Sequence, residues 1–345
     1  MDQTAVILVN VGTPDSPSVT DVRRYLFQFL NDRRVIDLPW LLQKALVNLI
    51  IVPFRAPKSA KLYQRLWGDK GSPLLYHSQS VTAKLQLRMG ESFHIYNAMR
   101  YGNPSLDGVL EQIEIQKYKK IIVLPLFPQY ASATTGSVSQ FVLAKMSQWN
   151  TIPELQLISN FHNHPAFINA FAARVEAYDV KNWDHVLFSF HGLPLRQINK
   201  VHSGHDCNQC PCKTKTIEEG QFCYQAACYE TARLIAEKTG LTDKDYSVTF
   251  QSRLTKNWMS PFTDEVLIQK ANAGIKRILV VAPAFVADCL ETKVEIEDEY
   301  SLLFRRHGGD QLQLVESLND HDCWIEGLNQ IISSSLNISE TTLTH

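Results

Sequence analysis

Short, continuous apolar runs rich in β-branched residues restrict the fold more than any other feature of this chain. Ile121-Ile122-Val123-Leu124 and Ile278-Leu279-Val280-Val281 offer no polar residue to either side. A strand of that kind needs both faces covered, as in a parallel sheet flanked by helices. Comparable runs are read at residues 5–9, 93–98, 120–126 and 155–159, and again at 185–190, 246–250, 277–282 and 311–315. Segments of helical period separate them, including 223–239 and 264–273. The prediction is an α/β chain of two parallel-sheet lobes, the second repeating the plan of the first. At 345 residues the length suits about two domains. The expected division is a first lobe over 1–160, a second over 161–318 and a closing helix over 319–335.

Composition removes several functions. Lys+Arg 34 against Asp+Glu 35 gives a net charge of -1, so no strong positive field exists for nucleic acid. Residues 1–4 lead into the first apolar run without a basic n-region or a cleavage site, so a cytoplasmic protein is expected. The stretch 35–54 is the best membrane candidate, but Asp37, Pro39, Gln43, Lys44 and Asn48 interrupt it. It is no spanning helix. Its Trp40, Leu41, Leu42, Leu46, Leu49 and Ile50 are read either as the core face of an amphipathic helix or as a surface that touches lipid.

In open parallel sheets, ligands bind beyond the carboxyl ends of the strands, so the loops at Asn10-Val11-Gly12-Thr13-Pro14 and His191-Gly192-Leu193-Pro194 are expected to line a cleft between the lobes. No G-x-G-x-x-G follows a strand, and neither a P-loop nor a G-x-S-x-G elbow occurs. His191, at a strand's carboxyl end, has an imidazole suited to taking a proton near neutral pH or to binding ferrous iron or zinc. Glu291, Glu295 and Glu299 recur at a spacing of four, which stacks them on one helix face. Two readings stand for the series: a solvated acidic face, or a proton and metal path starting at Glu291.

These residues carry a resemblance. Leu187-Phe188-Ser189-Phe190-His191-Gly192-Leu193-Pro194 resembles the hallmark segment of the ferrochelatases, which insert ferrous iron into a porphyrin in haem synthesis. The loop at 10–14, Arg100-Tyr101, the segment 124–137, Phe250-Gln251-Ser252-Arg253 and Asp288-Cys289-Leu290-Glu291-Thr292 are similar to that family in the same order. The resemblance implies two Rossmann-like lobes with four-stranded parallel sheets, the class II chelatase fold. It implies His191 and Glu291 as the proton-abstracting and metal-handling residues, with Glu295 and Glu299 continuing a path for protons or iron. Arg55, Arg100, Tyr101, Tyr130, Gln251 and Trp258 are implied as contacts to the macrocycle and its propionates. The family's lip, which is often membrane-facing, falls on 35–54 and implies peripheral contact with the inner membrane. Val11 stands where coproporphyrin-type members often have tyrosine, which favours protoporphyrin IX.

Five of the seven cysteines crowd one stretch, about 200–228. Cys207, Cys210, Cys212 and Cys223 have chelating spacing, and four thiolates hold either zinc or an iron-sulfur cluster. Some family members carry a [2Fe-2S] cluster on an internal segment of this type, which favours the cluster here over zinc, with free thiols as the bland alternative. Cys228 falls where cluster-free relatives also have cysteine. Two rivals to this function stand beside it: a chelatase for another tetrapyrrole or metal, such as coproporphyrin or cobalt with sirohydrochlorin, and a non-enzymatic tetrapyrrole-binding protein. Nothing in the residues speaks to oligomeric state.

Overall fold

All eight apolar runs form strands, and they assemble into two four-stranded parallel sheets. The computed structural model describes residues 3–201, 210–215 and 220–341. The first sheet joins β1 (Thr4–Thr13), β2 (Phe93–Gly102), β3 (Lys120–Pro125) and β4 (Glu154–Leu157) in the order β2-β1-β3-β4. The second joins β5 (His185–His191), β6 (Tyr246–Gln251), β7 (Arg277–Val281) and β8 (Gln311–Leu314) in the order β6-β5-β7-β8. Each sheet thus starts on an inner strand and winds outward to both sides. The winding reverses beside β1 in one and β5 in the other, and such reversals open a crevice at the strand ends.

Twelve α-helical segments are described: α1 (Val19–Leu30), α2 (Trp40–Ala45), α3 (Val52–Leu66), α4 (Pro73–Met89), α5 (Leu106–Gln116), α6 (Ser137–Met146), α7 (Pro165–Glu176), α8 (Leu195–Asn199), α9 (Tyr224–Lys238), α10 (Thr263–Asn272), α11 (Ser301–Arg306) and α12 (Asp322–Thr341). Wider π-helical turns occupy Leu46–Ile51, Ser132–Gly136 and Glu291–Tyr300. The chain divides into two units, one taking Met1–Phe127, Ala131–Asn160 and Leu328–His345, the other Pro128–Tyr130 and Phe161–Gly327.

In the first unit, Ile7 and Val9 of β1 and Val123 of β3 pack against Leu110 of α5 and Val142 of α6, all fully buried or nearly so. In the second, Leu187 of β5 and Val280 of β7 pack with Leu267 of α10, Ile296 and Phe304 of α11. Each such side chain withdraws enough apolar surface to contribute roughly 1.5–3 kcal/mol. The carboxyl end of β1 depends on a glycine. Gly12 has φ +114°, and a Cβ there would stand 1.7 Å from the Tyr101 carbonyl oxygen. Without side chain bulk, β1 and β2 stay paired out to Thr13 and Gly102.

Along α2, the π-helical turn Leu46–Ile51 and the start of α3 the first unit displays Trp40, Leu41, Leu42, Leu49, Ile50 and Phe54, which are 54–73 % exposed. Patches of that kind mark contact surfaces. No helix among the described residues is long and apolar enough to cross a membrane. In α12, Trp324 is buried against Phe161 and Phe167, and farther along the helix the Ser335 carbonyl accepts from Gln156 Nε2 of β4 at 2.8 Å.

Candidate active site

In the second unit the first strand ends at His191, whose register partner on β6 is Gln251. Beyond it the chain turns sharply. The Gly192 amide donates to the Gln251 carbonyl at 2.8 Å, Met259 N–H to the Leu193 carbonyl at 2.9 Å, and Leu195 N–H to the Asn257 carbonyl at 3.0 Å. A Cβ on Gly192 would sit 3.0 Å from the Gln251 oxygen and 3.6 Å from the Trp258 ring, so only a bare α-carbon lies there without displacement. The His191 ring is half-buried, with Trp258 and Phe285 each 6.4 Å away between centroids. Its Nδ1 stands 2.7 Å from the Gly192 carbonyl oxygen. A carbonyl only accepts, so Nδ1 carries the proton and the neutral ring keeps its lone pair at Nε2.

Gln251 ties this turn to the glutamates. Its amide is buried and fully used: Oε1 accepts from Ser189 Oγ at 2.8 Å, and Nε2 donates to the Glu291 carbonyl at 3.3 Å and to Glu295 Oε2 at 3.1 Å. Glu295 accepts three further bonds, from Ser252 N–H at 2.9 Å, Ser252 Oγ at 2.6 Å and Tyr300 OH at 2.8 Å. Burial and the Glu295 charge push the Tyr300 hydroxyl well up, so it remains a donor. Ser252 itself is left-handed, with φ +62°. Glu295 is therefore a hub that holds the end of β6. Glu291 differs. It is half-buried, and after burial its charge is the next cause that pushes the nearby Cys289 thiol up. Glu299 is exposed. The three glutamates lie on a π-helical segment, Glu291–Tyr300, rather than on the α-helix that a spacing of four suggests. Such wide turns often accompany functional sites.

In the first unit, Arg100 and Tyr101 end β2 beside a residue that sequence patterns do not flag. Asp32 Oδ2 accepts from Arg100 Nη2 at 2.9 Å, Tyr101 OH at 2.8 Å and Ser137 Oγ at 2.6 Å, while Oδ1 accepts from Arg34 N–H at 2.7 Å. The guanidinium also lies over the rings of Tyr101 and Phe141, 4.8 and 4.6 Å from their centroids. Burial works against the Asp32 charge, but the bonds from Ser137, Arg34 and Tyr101 and the Arg100 cation outweigh it and hold the carboxyl below its ordinary range. Arg55, on α3, is exposed. In the second unit Tyr130 meets the Phe222 ring edge-on at 5.3 Å, and Trp258 is half-buried beside His191.

The cysteines gather at the start of α9. Cys223 caps the helix and is buried, as are Cys212 and Cys228, while Cys210 is half-buried. Burial raises the Cys223 and Cys228 thiols, and Cys210 and Cys212 act on them electrostatically. Cys207 lies outside the described residues. Among the described residues no three His, Cys, Asp or Glu side chains stand close enough to hold a metal ion.

Comparison with known proteins shows the family. The sequence model of the family described as Ferrochelatase matches residues 3–336. The chain belongs to the ferrochelatase family. It is 42 % identical to a ferrochelatase of Legionella pneumophila (strain Corby) over 96 % of this chain and 99 % of the relative. It is also 42 % identical to one of Coxiella burnetii (strain Dugway 5J108-111), over 96 % and 94 %. The enzyme is thus a metal chelatase of the lyase class that inserts ferrous iron into a porphyrin for haem synthesis. Among solved structures, SirB from Bacillus subtilis with Fe3+ shares the fold at a TM-score of 0.56 and 13 % identity, over 98 % of both chains. The sirohydrochlorin chelatase SirB from Bacillus subtilis subspecies spizizenii in complex with cobalt does so at 0.54 and 12 %, over 97 % of this chain and 96 % of the other.

Asp32 escapes sequence reasoning because Arg100, Tyr101 and Ser137, which gather at it, lie far along the chain. The one local signal is the run Asn31-Asp32-Arg33-Arg34, polar residues directly after an amphipathic helix. Asp32→Asn is expected to lower stability at pH 7 by about 2–3 kcal/mol, as for loss of bonds to a charged acceptor. The folded-state pKa lies below the ordinary 3.8, so this contribution is complete above that value and is lost as pH falls through the lowered pKa. Urea unfolding of both proteins at pH 7 and at acid pH checks it: the gap between them closes on acidification.

Proposed function

We propose that protoporphyrin IX is the natural porphyrin, that His191 accepts the pyrrole protons, and that Glu291 steers the ferrous ion. The observation that carries this reading is the hydrogen bond from His191 Nδ1 to the Gly192 carbonyl, which leaves Nε2 as the basic atom. The reaction releases two protons as Fe2+ takes the place of two N–H hydrogens, so a base and a metal-orienting carboxylate are both required. Glu291 is the glutamate of the series that is half-buried and lightly bonded. Glu295 holds Gln251 and Ser252 in place, and the exposed Glu299 stands at the solvent end of the same segment, as a path for protons or iron needs.

Trp258 and Tyr130 supply aromatic faces for a flat apolar ring. Binding energy from the rest of the macrocycle can bend it, exposing nitrogen lone pairs to the metal. The exposed Arg55 suits a propionate, whereas Arg100 and Tyr101, already bound to Asp32, contribute by shaping the end of β2. Gln251 likewise acts from inside the protein.

Cys207, Cys210, Cys212 and Cys223 are the donors the sequence offers for a [2Fe-2S] cluster, zinc being the alternative, but Cys210, Cys212 and Cys223 do not stand close enough together here to hold either, so the set has to draw in on binding. Soft thiolates in a buried setting suit either. The cluster would bring one-electron chemistry, and iron insertion itself transfers no electron. The six exposed apolar side chains from α2 to the start of α3 support peripheral contact with a bilayer by an otherwise cytoplasmic protein.

Three outcomes are expected. His191→Ala and Glu291→Gln each lower kcat for ferrous or zinc insertion by about 100-fold or more, followed by porphyrin fluorescence under anaerobic conditions; full turnover in both overturns the assignment. Protein purified anaerobically contains iron and acid-labile sulfide with visible absorption, and a colourless, iron-free preparation removes the cluster. In sedimentation with phospholipid vesicles, the wild type pellets and a Leu41→Asp, Leu49→Asp, Phe54→Asp variant stays in solution.

A further inference from the structure

The segment that carries Trp258 leaves the sheet after Gln251 and returns to it at Phe262. Its two ends lie side by side: the Phe250 amide donates to the Pro261 carbonyl at 2.8 Å, and Phe250 is bridged to Phe262. Residues 254–257 between them are exposed, Leu254 to 66 %. Late in the excursion Trp258 is bridged to Pro194, flanked by the backbone bonds from Leu195 to Asn257 and from Met259 to Leu193. The ring beside His191 is therefore held by a short ribbon on a largely solvated loop. Loops of that kind open readily unless something closes their base.

Arg253 closes it. Its Nη1 donates to Glu265 Oε1 at 2.7 Å and its Nη2 to Asp264 Oδ2 at 2.8 Å, while the guanidinium carbon lies 3.9 Å from the centre of the Phe262 ring. A residue at the start of the loop thus grips the one that ends it and two in the first turn of α10. Each contact is modest alone: the Arg253 side chain is 27 % exposed and that of Glu265 62 %, so water and salt screen the charges. Together they fix a geometry. A guanidinium offers a fork to two carboxylates and a flat face to a ring at once, which a lysine ammonium cannot do. The acids sit where the helix dipole favours negative charge in any case, and holding the two ends together removes freedom that the loop would otherwise keep.

We propose that Arg253 is a positioning residue that sets porphyrin affinity: it keeps the base of this loop shut, so that Trp258 stands in place beside His191 before the macrocycle arrives. This rests on the reading of Trp258 as an aromatic face for the porphyrin. A stacking ring that must first be ordered spends part of its binding energy on that ordering. Equally, a loop that is closed only part of the time lowers the apparent affinity in proportion. The arginine acts on binding and not on proton transfer at His191 Nε2. The ferrous ion, which meets His191 and Glu291 rather than the loop, is indifferent to it.

The experiment measures steady-state kinetics with ferrous iron and protoporphyrin IX for Arg253→Gln, Arg253→Lys, Trp258→Ala, Arg253→Gln combined with Trp258→Ala, and Asp264→Asn combined with Glu265→Gln, with melting temperatures as a check on folding. Arg253→Gln is expected to raise KM for porphyrin about five-fold while kcat and KM for iron stay within about two-fold, the split expected when binding alone is lost. Arg253→Lys, which keeps the charge without the fork, raises it by about three-fold or more. Trp258→Ala raises the same KM about ten-fold, and adding Arg253→Gln to it changes KM by less than about two-fold, because the two act through one ring. The paired acid variant repeats the Arg253→Gln shift. Direct contact between Arg253 and a propionate predicts instead that freeing the guanidinium from its acids leaves KM unchanged or lower. That result overturns the proposal, as does a general structural role, in which the Arg253→Gln and Trp258→Ala effects multiply. If Arg253→Gln does not fold, the lysine variant and the paired acid variant decide. An unchanged porphyrin KM in Trp258→Ala overturns the reading of Trp258 itself, whereas a raised one beside a normal Arg253→Gln overturns only the role of Arg253.

Discussion

The hydrogen bond from the Gly192 amide to the Gln251 carbonyl carries the register of β5 and β6 one residue past the last paired strand position. The polar groups around the end of β5 are placed from there. It turns the chain away from the sheet just after His191, and it does so only because position 192 lacks a Cβ. It also fixes Gln251, whose buried side chain reaches back to Ser189 on one side and on to Glu291 and Glu295 on the other. A histidine at a strand end and a glutamate forty residues beyond Gln251 thus share one rigid intermediary. A neutral amide serves this purpose better than a charged side chain, because it donates and accepts at once.

The two units solve the same problem with different chemistry. Both end an inner strand or its neighbour in polar residues at the carboxyl edge, where a parallel sheet leaves its functional positions. In the first unit the polar groups are satisfied around one carboxylate, Asp32, which takes bonds from a guanidinium, a phenol, a serine hydroxyl and a backbone amide. In the second, Glu295 plays that part, while His191 Nε2 and the Glu291 carboxylate are left with spare capacity. A buried charge is tolerated when fully hydrogen-bonded.

The fold was legible because fully buried parallel strands have a distinctive composition: runs such as Ile278-Leu279-Val280-Val281 leave no other economical arrangement. Helix α9 also lies within a residue of its expected ends, since Cys223 caps it and Gly240 follows it closely. The place of His191 at a strand's carboxyl end was legible because such a position is written locally. The inward turn of the Gln251 amide is not, as glutamine beside a cleft reads equally as a ligand contact. The π-helical course of Glu291–Tyr300 was also hidden, because a spacing of four fits an α-helix as well. Asp32 had no visible reason to be special until Arg100, Tyr101 and Ser137, all far along the chain, were brought to it.

Ser252 gives this arrangement an evolutionary consequence. A serine with left-handed backbone is strained by about 1–3 kcal/mol, and here both its amide and its hydroxyl bond to one carboxylate, Glu295. The two positions are therefore not free to drift separately. Loss of the carboxylate strands a strained serine, whereas glycine at 252 keeps the backbone path and its amide bond and surrenders only the hydroxyl. Lineages can cross between serine and glycine at 252 while Glu295 is retained, but not in the opposite order. This epistasis ties the identity of an acidic residue to the handedness of a single turn.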